Sequence, residues 1–166
     1  RMSSRLETSA SSIAVPPVRV RPMKSDIAPI ASLPGKGGMT RVAILNARGA
    51  VYGERGEFTA ALADYAAALA LCEEQLSPEH PDVAAILSNM GVIEVDQGQY
   101  KAAREHYERA LAIHRRVLGD DHPSTGGTYM NLGTLLQRTN DYDGAAVQYE
   151  HALAVAIGAG SGDADL

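Results

Sequence analysis

Eight columns of residues recur at a spacing of 42, and this period constrains the fold more than any other feature of the chain. Gly49, Gly91 and Gly133 share one column, and Phe58, Tyr100 and Tyr142 the next. Ala61, Ala103 and Ala145 follow, then Tyr65, Tyr107 and Tyr149. Ala68, Ala110 and Ala152 precede Leu69, Leu111 and Leu153, and His80-Pro81 recurs as His122-Pro123. No gap breaks the register. One copy of such a unit cannot bury its apolar face alone, so copies must stack, and the period dictates a quasi-linear array.

Each copy reads as two helices. In the middle copy Val83, Ile86, Leu87, Met90 and Ile93 recur at helical spacing over 82–96. Pro81 suits the first turn of that helix, where its missing N–H costs nothing, and Asp82 suits the positive end of the dipole. Gly98 punctuates, and a second helix is expected from about Gln99 to Val117. Tyr100, Ala103, Tyr107, Ala110, Leu111 and Leu118 share one of its faces. Gly119 and the loop Asp120-Asp121-His122-Pro123 end it.

Composition fits close packing of small helices. Among 166 residues there is no Trp, one Phe and 16 Gly. Gly91, Ala103 and Ala110 lack bulk, so helix axes can approach, and Tyr107 fills the wedge that remains. Glycine within a helix costs about 1 kcal/mol relative to alanine. Its return at 49, 91 and 133 therefore implies a packing gain that outweighs the cost.

The stretch Leu87-Ser88-Asn89-Met90-Gly91, with Gly98-Gln99-Tyr100, Ala103 and Tyr107-Glu108-Arg109-Ala110-Leu111, resembles the helix-turn-helix signature of the tetratricopeptide family. The 42-residue unit is longer than that family's usual one and is similar to the repeats of kinesin light chains and related bacterial scaffolds and regulators. The resemblance covers about 40–157. It implies an all-α, tetratricopeptide-type solenoid of three antiparallel helix pairs, 40–81, 82–123 and 124–157, and the composition of 1–39 places a disordered N-terminal leader before it. A flexible Gly-rich tail is expected at 158–166. The outer units depart from the pattern. Arg48 stands where Met90 and Leu132 stand, Asn140 replaces Gly56 and Gly98, and Gly126-Gly127 should weaken their helix. With no capping helix evident, the last unit is expected to expose apolar surface and to support homo-oligomerisation or a further continuation of the array.

The resemblance also implies a site. In this family the first helices of successive units line a concave groove that holds extended peptides or partner helices. The matching positions are Asn46, Ala47, Ala50, Gly53 and Glu54, then Ser88, Asn89, Val92, Val95 and Asp96, then Met130, Asn131, Thr134, Gln137 and Arg138. Of these, Asn46, Ser88, Asn89, Val92, Asp96, Asn131, Thr134 and Arg138 are the candidate peptide contacts. A side-chain amide offers donor and acceptor to any peptide backbone, although Asn89 and Asn131 could equally bond neighbouring helices. The carboxylate clamp of chaperone-binding members is missing, with Asn46 and Gly127 at its Lys positions and Asn131 at its Arg position. Arg138 is nearly alone opposite Glu54 and Asp96, so a neutral or mildly basic ligand with small side chains fits better than an acidic one.

Charge divides the chain. Residues 1–41 hold seven bases against two acids, whereas the rest holds eight against 18. The basic segment also carries Pro16, Pro17, Pro22, Pro29 and Pro34, which oppose a helix. It reads as a flexible tail, an organelle transit segment or an electrostatic dock for an anionic surface. An acidic repeat body disfavours nucleic acid, which needs clustered bases. No apolar run reaches the ~20 residues of a membrane span. The expected setting is intracellular, in the cytoplasm unless the leader directs an organelle.

No catalytic or cofactor constellation emerges. Gly35-Lys36-Gly37-Gly38-Met39-Thr40 lacks the order of a phosphate loop, and the five histidines form no zinc motif. The lone Cys72 excludes an internal disulfide and reads as a semi-buried helix residue. His80 and His122, at equivalent connectors, read as structural. The expected function is protein–protein interaction as a scaffold, with no enzyme activity and no cofactor. The alternative is a sensing module of a larger signalling ATPase or transcriptional regulator.

Overall fold

The computed structural model describes residues 37–161, with side chains through 158. The expectations for 1–36 lie outside the described residues. Six helices follow one another: α1 (Gly38–Glu54), α2 (Phe58–Gln75), α3 (Pro81–Asp96), α4 (Tyr100–Val117), α5 (Pro123–Arg138) and α6 (Tyr142–Ser161). No strand occurs among the described residues. Each odd helix pairs with the next even one, and each pair packs on the following pair through α2 with α3 and α4 with α5. The odd helices also touch in series, α1 with α3 and α3 with α5, forming one continuous row.

Two kinds of turn set this order. Within each pair the chain reverses through a left-handed residue: Gly56 (φ +74), Gly98 (φ +74) and Asn140 (φ +62). Asparagine is among the few non-glycine residues that adopt this region readily, which explains the substitution in the third unit. Between pairs, the His-Pro dipeptide starts the next helix. The Asp82 amide donates to His80 Nδ1 at 3.2 Å, and the Ser124 amide to His122 Nδ1 at 3.1 Å. Imidazole thus takes the capping role usually filled by Ser, Thr, Asp or Asn.

The Gly and Tyr columns meet. A Cβ on Gly49 would lie 2.8 Å from the Tyr65 ring, one on Gly91 2.5 Å from Tyr107, and one on Gly133 2.7 Å from Tyr149. Each aromatic ring lies against the bare backbone of its partner helix. Ala61, Ala68, Ala103 and Ala110 are fully buried around these rings. Burying one such Tyr removes some 150 Å² from water, about 4 kcal/mol at the usual coefficient.

Two expectations are corrected. First, α1 starts at Gly38 and α6 continues to Ser161, so both helices extend beyond 40–157. Second, Cys72 is fully buried rather than semi-buried. Gly126-Gly127, expected to weaken their helix, lie within an unbroken α5, where Gly126 packs closely on Val155. The third unit does expose apolar surface, with Leu153 60% and Ile157 65% accessible on α6. Its Leu111 equivalent in α4 is partly covered by core neighbours instead.

Polar pairs inside the helix pairs were not legible in advance. Arg48 Nε and Nη2 each donate to the Asp64 carboxylate at 2.6 Å, joining α1 to α2. Asp64 is buried, and Arg48 also lies over the Tyr52 ring. In the second unit the order inverts: the buried Glu94 of α3 meets His106 Nδ1 of α4 at 2.7 Å.

Candidate functional site

The row of α1, α3 and α5 carries two clefts. The larger, ≈ 380 Å³, opens between α3 and α5, with Ser88 and Asn89 on one wall and Gly127, Met130 and Asn131 on the other. The smaller, ≈ 220 Å³, opens between α1 and α3 and includes Asn46. Asp82 and Ala85 line both, so the two clefts share an edge at the start of α3.

Helical spacing explains which residues meet here. Ala85, Ser88 and Asn89 are three and four apart and fall on one face of α3. Gly127 and Asn131 do the same on α5. Small residues at 85 and 127 keep the floor open.

The expected contacts separate into two groups. Asn46, Ser88, Asn89 and Asn131 line the clefts. Val92, Asp96, Thr134 and Arg138 are exposed nearer the C-terminal ends of the same helices and line neither cleft. Thr134 bonds its own helix at the Met130 carbonyl and lies 3.2 Å from the Tyr149 hydroxyl. Two further positions carried over from the family pattern are packing residues. Val95 is buried in the core beside Tyr107, and Gly53 faces the Ile93 side chain. The residues that the pattern missed, Asp82, Ala85, His114, Ser124 and Thr128, sit at the N-terminal ends of α3 and α5 or on the floor beneath them. The His-Pro boundary was the only sequence signal pointing to that end.

Asn89 Nδ2 donates to Asn46 Oδ1 at 2.9 Å, bridging α3 to α1. This bond uses one amide hydrogen and leaves the carbonyl oxygen of Asn89 with acceptor capacity. Ser88 Oγ is buried and has no hydrogen-bond partner. His114 reaches the cleft from α4 and is 4% exposed, with Nδ1 3.0 Å from Thr128 Oγ1. Burial pushes its pKa below the ordinary 6.5, against a hydrogen bond that the imidazole donates to the Pro81 carbonyl, and nearby His122 adds to the lowering. The imidazole is therefore neutral near pH 7. Apart from it, Asp82 is the one ionisable group lining the larger cleft.

A lowered folded pKa means that the unfolded chain takes up the proton first as pH falls. Stability from neutral His114 is complete above pH 6.5 and declines below it, down through the folded pKa. The melting temperature should fall by a few degrees on acidification through this window. His114→Cys, which copies Cys72 at the equivalent position, should flatten that fall; an unaltered pH profile would contradict the assignment.

A row of paired helices stacked in series and carrying an open groove defines an all-α helical-repeat solenoid. The tetratricopeptide repeat profile matches residues 40–114 and 82–157, and the chain belongs to that family. The crystal structure of BtubC (BKLC) from P. vanneervenii is similar, with TM-score 0.67 and 27% identity over 75% of this chain and 49% of that one. The chain thus spans about half the length of BtubC. The tetratricopeptide repeat domain of Arabidopsis FLU shares the fold, with TM-score 0.60 and 19% identity over 70% of this chain and 95% of that domain. No curated protein sequence matches. Kinesin light chain-like repeats account for the 42-residue unit. Among the described residues no helix is long and apolar enough to cross a membrane.

Proposed function

We propose that the chain is a non-catalytic scaffold that holds a peptide or partner helix along α1, α3 and α5. The observation that carries this reading is the open cleft between α3 and α5, which Asn89 and Asn131 both line. Their side-chain amides offer donors and acceptors to a backbone of any sequence. Asp82 and a lining that holds neither Lys nor Arg favour a neutral or mildly basic ligand, and the small residues Ala85 and Gly127 favour short side chains.

The test is peptide selection from a random library, followed by titration. Asn89→Ala with Asn131→Ala should weaken the selected peptides about 10–100-fold, the loss of two hydrogen bonds, with helical circular dichroism intact. Ser88→Ala removes a buried hydroxyl without a partner and should stabilise the free protein by about 1 kcal/mol. Unchanged affinity in the double variant would remove the groove from the account.

A further inference from the structure

We propose that Cys72, His80 and Asp82 form a divalent-metal site of the zinc class at the seam between the first two helix pairs. A thiol sulfur, an imidazole nitrogen and a carboxylate oxygen here lie within 4.8 Å of one another. The three come from the last turn of α2, the connector and the first turn of α3.

The geometry is close to what a tetrahedral ion needs. Metal–ligand bonds of 2.0–2.3 Å place neighbouring donors roughly 3.3–3.8 Å apart. His80 Nδ1 is 3.6 Å from Asp82 Oδ2. Nδ1 accepts the Asp82 amide at 3.2 Å, so its lone pair already faces this side and its proton resides on Nε2. Coordination exchanges that long hydrogen bond for a metal bond. The sulfur completes the set by a small approach within the seam.

Cys72 is 0% exposed and its thiol is free of any disulfide. His80 and Asp82 are 40% and 54% exposed, so an ion enters from the solvent side and keeps a fourth position for water. A soft sulfur with an imidazole selects zinc-like ions over magnesium or calcium. Binding displaces the thiol proton to solvent, one per ion, with no redox change. The other repeats provide an internal comparison. The equivalent residues of the second connector are His114, His122 and Ser124, and His114 is already engaged by Thr128. In the third unit Ala156 replaces Cys72.

The experiment uses the full chain, reduced with a phosphine, and cobalt(II) alone as the optical probe. The expected result is one cobalt per chain, with a thiolate-to-metal charge-transfer band that zinc(II) bleaches. Zinc at about 100 times its Kd should raise the melting temperature by about 5–10 °C. Cys72→Ala and Asp82→Ser copy residues from the other repeats, and His80→Asn keeps a capping oxygen. Each should weaken cobalt binding at least about tenfold, and Cys72→Ala should abolish the band. If Cys72→Ala does not fold, the half-exposed Asp82→Ser carries the test. A folded chain that shows no charge-transfer band overturns the proposal. So does a band, or a zinc-dependent melting shift, that survives Asp82→Ser unchanged.

Discussion

Gly91→Ala should destabilise the domain by about 1–3 kcal/mol, even though alanine is the better helix former by about 1 kcal/mol. The added Cβ would lie 2.5 Å from Tyr107 Cε1 and 2.8 Å from Cζ. Real side chains do not approach so closely, and Tyr107 is only 2% exposed and flanked by Ala103 and Ala110. The ring cannot move aside without separating α3 from α4. Gly127→Ala is the matched control. It lies inside α5 with nothing within 4 Å of its would-be Cβ, so it should gain about 0.5–1 kcal/mol. Urea titrations followed by circular dichroism measure both. If Gly91→Ala proves as stable as Gly127→Ala, the Gly–Tyr wedge does not hold the helix pair together.

Arg48→Leu is expected to cost about 2 kcal/mol, because it strands the Asp64 carboxylate in the interface of α1 with α2. Removing one partner of a buried pair typically costs about 3–5 kcal/mol, and the figure is discounted here for solvent around Arg48. Asp64 keeps only 9% of its side-chain surface in water, whereas Arg48 keeps 32%. The third unit shows an uncharged alternative, with Leu132 and Gln148 at these positions. Arg48→Leu combined with Asp64→Gln should therefore recover most of the loss. Thermal melts of the two single variants and the double variant give the coupling directly. Additive losses in the double variant would show that the two side chains contribute separately.

The repeat was readable because packing uses the same residue types three times. Gly against Tyr, flanked by Ala, returns in every unit, and the His-Pro start returns at both connectors. The polar pairs were hidden because they do not repeat: the Arg48 column continues as Met90 and Leu132, the Asp64 column as His106 and Gln148, and His106 pairs instead with Glu94, so no column betrays them. The continuation of α6 to Ser161 was hidden for another reason. Glycine weakens a helix by about 1 kcal/mol per residue, but extending an existing helix avoids the cost of nucleation.

The groove was partly legible. Asn46, Ser88, Asn89 and Asn131 line the clefts, because the family pattern marks one helical face. It does not mark how far along that face the helices diverge. The clefts lie toward the N-terminal ends of α3 and α5, beside Asp82 and Ser124, while Val92 and Asp96 fall beyond them. That distinction depends on inter-helix gaps, which no single repeat encodes.

Site-directed photo-crosslinking tests the groove most directly. Cys72 is fully buried, so a cysteine placed at Ala85, which lines both clefts, can be labelled selectively with a photoreactive group. A second variant places it at Lys101 on α4, in a separate surface depression. A selected peptide should crosslink at position 85 and not at 101. Crosslinking at 101 with none at 85 would place the binding surface on the second helices and contradict the account.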